Sequence, residues 1–222
     1  MTRRTNVSMV LGIGLTVACG IAPQAWSAAQ AQQTGQAQPV APPQRAPGVV
    51  QPSLMFGFET DAQGWTIPDW AMEKPDEYFG QDVTVGNEGA TEGNKALAIS
   101  VVFPGGRWGG AIVQAEDYWD WSPHNYVAAD ITLPPDAPAG LRGKLILTVG
   151  EGWEWIEMSR SVQLKPGGTT TITADVAPGS GDWKKKNIDE EFRRDVRKMS
   201  VRVETNKAPY QGKIYIDNVR LE

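Results

Sequence analysis

The feature that most constrains this chain is the punctuation of its sequence from Leu54 onward. Runs rich in Val, Ile, Thr and Tyr recur between Gly, Pro, Asn and Asp, and few stretches leave room for a helix. These runs predict strands over 54–59, 82–85, 96–103, 110–115 and 126–133. They continue over 144–149, 155–164, 169–175, 198–204 and 213–221. In the last run Ile214, Ile216, Asn218 and Arg220 oppose Tyr215, Asp217, Val219 and Leu221, the two-residue period of a pleated strand. One helical signal, 189–197, is acidic in front and basic behind, as the helix dipole favours. Ten or so strands and one short surface helix describe an all-β fold, an antiparallel β-sandwich of the jelly-roll kind.

The folded part is expected over 53–222. Before it, residues 1–29 read as a secretory signal: Arg3 and Arg4 precede an apolar stretch, Val7 to Ala22, too short to span a bilayer comfortably. Small residues at Ser27 and Ala29 suit cleavage after Ala29. Cys19 in Val17-Ala18-Cys19 suggests a lipoprotein as the alternative, but Thr16 stands where a lipobox carries Leu. Residues 30–52, rich in Ala, Gln and Pro, contain almost nothing to bury and read as a disordered tether. A secreted or periplasmic location follows, with no membrane insertion.

Cys19 is the only cysteine, so a chain cut after Ala29 has neither disulfides nor thiol-ligated metal. The net charge is −5, and no acidic residue precedes Glu59, so removal of Arg3 and Arg4 makes the chain more acidic still. That balance argues against nucleic acid and anionic lipid as partners. The basic clusters Lys184-Lys185-Lys186, Arg193-Arg194 and Arg197-Lys198 alternate with acids and read as solvated surface. A monomer is expected.

Residues 150–157 read GEGWEWIE and join two strand-like runs. Gly150 and Gly152 supply the permissive backbone for the turn. Trp153 and Trp155 would lie on one face if this stretch is extended. In the outgoing run Ile156, Met158, Val162 and Leu164 share one parity and read as core. The other parity carries Trp155 and Glu157 among hydroxyls and a carboxamide. A large ring on a polar sheet face suits a flat apolar ligand with hydroxyls around it, such as a pyranose. Glu151, Glu154 and Glu157 are then the acceptors for those hydroxyls.

Clustered carboxylates also raise glycoside hydrolysis or polysaccharide lysis, which need two acids at a set separation. Glu154 and Glu157 fall on opposite faces of a regular strand, which weakens them as a pair. His124 in the Ser122-Pro123-His124-Asn125 turn is the only histidine and has no third group for a triad. Binding is therefore preferred to catalysis, and an adhesive sandwich is the third reading.

Several motifs in order resemble one family. They are FGFETDAQGW (56–65), GNKALAISVVF (93–103), WGGAIV (108–113), DWSPHNYVAADITLP (120–134), GEGWEWIE and the closing YQGKIYIDNVRLE (210–222). Together they resemble the jelly-roll carbohydrate-binding modules with a galactose-binding-like fold, most of all the mannan-binding modules of bacterial mannanases. The resemblance implies a polysaccharide or oligosaccharide ligand and no catalytic residue. It implies a sugar face at Trp153, Trp155 and Trp108, with Trp70 as a fourth ring, and structural roles for Trp65 and Trp121. It also implies a structural Ca2+ tying the first and last strands, held by Glu59, Asp61 and Asp217, with Asn94 or a carbonyl near Lys95 completing the shell.

Overall fold

The strand VRKMSVRVET shows in one line how the sandwich is built. Met199, Val201 and Val203 point inward and are buried, while Lys198, Ser200, Arg202 and Glu204 point to the other face. A computed structural model describes residues 52–184 and 188–222. The expected signal at 1–29 and all but the last residue of the expected linker at 30–52 lie outside the described residues.

Eleven strands and two short helices follow in chain order: β1 (Ser53–Phe56), α1 (Asp69–Met72), β2 (Gly80–Gly86), β3 (Ala96–Phe103), β4 (Gly109–Trp119), β5 (Tyr126–Leu133), β6 (Arg142–Val149), β7 (Glu154–Glu157), β8 (Val162–Gln163), β9 (Gly168–Asp175), α2 (Glu190–Arg194), β10 (Val196–Thr205) and β11 (Tyr210–Leu221). One sheet runs β2-β3-β11-β5-β9, with β1 pairing the end of β11. The other runs β4-β10-β6-β7, with β8 pairing β6. Every pairing between these strands is antiparallel. The expected all-β sandwich is therefore the fold, and its core lies between the inner faces of the two sheets. Trp65 and Trp121, each 1% exposed, are part of that core, in agreement with the structural roles expected of them. Among the described residues no helix is long and apolar enough to cross a membrane.

Four local departures from the expected pattern have physical causes. The first strand stops at Phe56, because Phe58 takes a left-handed backbone (φ 54°) and leaves the pleat. The run expected over 155–164 breaks into β7 and β8, although Ile156, Met158 and Leu164 are buried as expected. In β11 the alternation reverses at Asn218 (φ 49°), where the register with β5 slips. Ile214 and Ile216 are then followed into the core by Val219 and Leu221, not by Asn218 and Arg220. The helix expected over 189–197 is only Glu190–Arg194. Asp189 caps it by accepting from the Phe192 amide at 2.8 Å, and β10 begins at Val196. Arg193 is not solvated surface but buried, donating to the carbonyls of Ser122 and His124.

The other helix, α1, has no apolar period to announce it, being four residues after Pro68. It belongs to a strap, residues 66–79, that pairs with the free edge of β4 at both ends. Thr66 exchanges amide hydrogen bonds with Gln114, and Phe79 donates to the Gly110 carbonyl at 2.7 Å. Between those anchors Ala71 covers Ile112 and Ile146, two apolar residues on the outer face of the β4-β10-β6-β7 sheet. Covering that patch removes it from water and protects the edge strand from further pairing.

Replacing Trp65 or Trp121 by Ala should cost about 3–5 kcal/mol of folding stability, as large-to-small core changes do. Urea denaturation followed by far-UV circular dichroism measures it, and a loss below about 1 kcal/mol would contradict their placement in the core.

Candidate functional site

The strap leaves part of the outer sheet face uncovered, and register decides what is exposed there. Three rows cross the sheet: Ile112–Arg202–Lys144, then Gln114–Ser200–Ile146–Glu157, then Glu116–Lys198–Thr148–Trp155. Arg202 and Lys144 face each other directly, an arrangement that repels unless a carboxylate lies between them. Glu157 supplies it. Its Oε1 accepts from Arg202 Nη1 at 2.9 Å and from Trp155 Nε1 at 3.4 Å. Its Oε2 accepts from Arg202 Nη2 at 3.2 Å, Lys184 Nζ at 3.1 Å and Lys144 Nζ at 3.3 Å. Arg202 also pairs with Glu204 at 3.2 Å, and Glu204 takes the Ser161 hydroxyl. Burial alone would raise the Glu157 carboxyl, but Arg202, Lys184 and Lys144 outweigh it and hold it at about 2.

Above this floor stand four aromatic rings, each edge-on to the next. Trp155 meets Trp70 at 5.6 Å, Trp70 meets Tyr78 at 5.0 Å, and Tyr78 meets Trp108 at 5.8 Å, with interplanar angles of 84° to 89°. Arg202 lies over the Trp108 ring and Lys74 over the Trp70 ring. Between them opens a depression of about 300 Å³ lined by Trp70, Lys74, Tyr78, Trp155, Glu157 and Arg202. Burial pushes the Tyr78 hydroxyl up, against the pull of Arg202, so it keeps its proton at neutral pH.

Of the residues expected at a sugar face, Trp155, Trp70, Trp108 and Glu157 gather at this groove. Trp153 does not join them. It sits in the Gly150–Trp153 turn with a left-handed backbone (φ 52°), so the extended geometry that would put it beside Trp155 is absent. Its ring, 40% exposed, lies instead against Arg197 and Lys198, and the Arg197 guanidinium also lies over the Tyr118 ring. Glu151 is exposed on the same turn and bears on Arg197, while Glu154 lies exposed at the start of β7. Arg202, Tyr78 and Lys74, which line the groove, and Lys144, which pairs with Glu157 beneath it, are residues that the sequence reading missed. Lys184, read there as solvated surface, is an ion-pair partner of Glu157. Lys185 and Lys186 lie outside the described residues.

Of the expected cation ligands, Glu59 and Asp217 meet Asn94 and Lys95 at the loop of residues 87–95, which joins two strands of the other sheet. Glu59 Oε1 accepts the amides of Asn94 and Lys95, both at 2.8 Å, and these amides hold its carboxyl below the usual range. Asp217 Oδ2 accepts the amides of Thr91 and Glu92 at 2.7 and 2.9 Å, while its buried Oδ1 accepts nothing. Asp61 Oδ1 takes the Gln63 amide. The unclaimed Asp217 oxygen fits a cation. The Asn94 and Lys95 amides do not, because they turn N–H groups toward Glu59 where a cation needs oxygen. Among the described residues no group of three His, Cys, Asp or Glu side chains is gathered in metal-binding fashion.

A family model described as mannanase, galactose-binding domain-like, matches residues 56–218. A carbohydrate-binding module specific for non-crystalline cellulose shares the fold at a TM-score of 0.54 and 16% identity, with 75% of this chain and 92% of that one covered. A module from Caldicellulosiruptor saccharolyticus, solved in complex with mannohexaose, aligns at 0.52 and 22% identity, covering 78% and 97%. An exo-β-agarase aligns at 0.53 and 14% identity, with 76% of this chain and 24% of that one covered. No curated protein sequence matches the chain.

Glu157 titrates near 4.5 when unfolded and at about 2 when folded. Its stabilisation is therefore present above 4.5 and is lost as pH falls through 2. Between about pH 5 and pH 2 the wild-type Tm should fall more steeply than that of Glu157→Gln, and the two curves should converge at the acid end. Parallel curves over that range would contradict the ion cluster.

Proposed function

The chain belongs to the mannanase galactose-binding domain-like family, and on that premise we propose that it is a secreted or periplasmic, non-catalytic module that binds a β-linked glycan such as mannan. The observation that carries this reading is the groove in which Trp155, Trp70, Tyr78 and Trp108 stand over a charged floor. The apolar face of a pyranose stacks on an indole, and the polar floor meets its hydroxyls. The same floor speaks against glycosidase chemistry. A general acid needs a carboxyl raised toward neutral pH, and Glu157 is pulled the other way. The chain acts as a monomer, and cleavage after Ala29 would release it.

Ring stacking is worth about 1–3 kcal/mol each, judged by nucleic-acid bases on aromatic side chains. Three such rings supply about 3–9 kcal/mol, and with hydrogen bonds to the sugar hydroxyls roughly offsetting the cost of ordering the chain, the net is about 5–7 kcal/mol. That corresponds to a Kd from about 10 μM to a few hundred micromolar, sufficient for an insoluble polymer. Trp155→Ala and Trp70→Ala should each weaken mannohexaose binding about tenfold or more in isothermal titration. Trp153→Ala should cost less, because its ring stands apart from the groove. Prolonged incubation should release no shorter sugar. Unchanged affinity in both groove variants would overturn the reading.

Calcium is proposed as well, with Asp217 and Glu59 as the carboxylates that would hold it at the 87–95 loop. It would supply a cross-link between the two ends of the domain. What supports it is the buried, unclaimed Asp217 Oδ1. A metal that binds only the folded state adds about 2.7 kcal/mol at a hundredfold excess over its Kd. Chelation should therefore lower the Tm, and not in Asp217→Ala. An identical melting curve with and without chelator would remove the ion.

A further inference from the structure

The groove is rich in donors and has no free acceptor among its charged groups. Glu157 receives five hydrogen bonds, whereas a carboxylate offers about four lone-pair sites. It has no capacity left for a ligand hydroxyl. Glu204, the next carboxylate, is taken up by Arg202 and Ser161 and does not line the depression. The donors are not exhausted. Among the described residues Lys74 pairs with no carboxylate; its ammonium rests over the Trp70 ring at 5.7 Å with its N–H groups available. Lys184 is half-exposed and spends one N–H on Glu157. The Tyr78 hydroxyl, which lines the depression, keeps its proton.

A sugar hydroxyl that accepts from these groups still carries a proton, and the charged floor has nowhere to put it. A group that accepts without donating has no such difficulty, and it satisfies ammonium and guanidinium groups through stronger, charge-assisted bonds if it is an anion. We propose that the groove selects glycan chains bearing an acceptor-only substituent, a uronate carboxylate or an ester carbonyl, on the unit seated between Trp70 and Trp155. This rests on the reading of the depression as a sugar site, and Lys74 is then the residue that sets the preference.

The test uses three β-mannan oligosaccharides of equal length: unsubstituted, O-acetylated, and carrying one uronate unit. Isothermal titration against the full chain should give at least about tenfold tighter binding for one substituted ligand. Salt distinguishes the two sources, since a carboxylate contact weakens as ionic strength rises and an ester contact does not. In Lys74→Met the ratio of substituted to unsubstituted affinity should fall toward one. Equal affinity for all three ligands would overturn the preference while leaving the sugar site standing. Tighter uronate binding that survives Trp155→Ala would also overturn it, since the contact would then be surface charge away from the groove. Failure of every ligand to bind would sink the sugar site itself.

Discussion

The bond on which the outer sheet face depends is the one between Glu157 and Arg202. Register alone places Arg202 opposite Lys144, and neither can leave, because each sits in a strand whose neighbours of opposite parity are core. Two facing cations with little access to water would be costly. Glu157, arriving on β7, converts that repulsion into a three-strand clamp joining β10, β6 and β7. A buried ion pair is weak evidence for stability by itself, since desolvation offsets much of the attraction. Removing one partner is another matter, for it strands the others. The cluster is best seen as a device that fixes geometry: it holds Trp155, two residues before Glu157 and hydrogen-bonded to it, in one place.

The second constraint is apolar. Ile112 and Ile146 stand on a sheet face that would otherwise meet water, and they require a cover. The strap provides one with Ala71, and in crossing the face it brings Trp70, Lys74 and Tyr78 to the edge of the ion cluster. The groove is thus the seam between a covered patch and a charged patch of one sheet. Of its aromatic walls Trp70 and Tyr78 come from the cover and Trp155 from β7, and its polar floor comes from the strands. Either part alone would be ordinary packing.

This division explains how far the sequence could be read. Strand period is a local property, so β3 and β5 were legible to the residue, and Trp155 was correctly placed on the outer face. The reading failed wherever a single left-handed residue reset the period. Asn218 in β11 and Trp153 in the turn before β7 both do this, and neither residue type demands it. Tyr78 and Lys74 lie in a segment with no period at all, fixed only by contacts made after folding. Arg202 is illegible for a different reason. A charge on the outer parity of a strand reads as solvated, and only the assembled strap and β7 show that it is buried.

The same cluster also bears on what the groove can do. A carboxylate held at about 2 is an anion throughout the physiological range, so it neither gives up a proton nor takes one. The cations that hold it there also fill its lone pairs, which removes it as a nucleophile and as an acceptor. What remains is rigid geometry, exposed ring faces and unspent N–H groups. Those are the means by which a surface recognises a ligand without reacting with it. The fixed geometry of the floor and the loss of acid chemistry at Glu157 are then two consequences of one arrangement of charges.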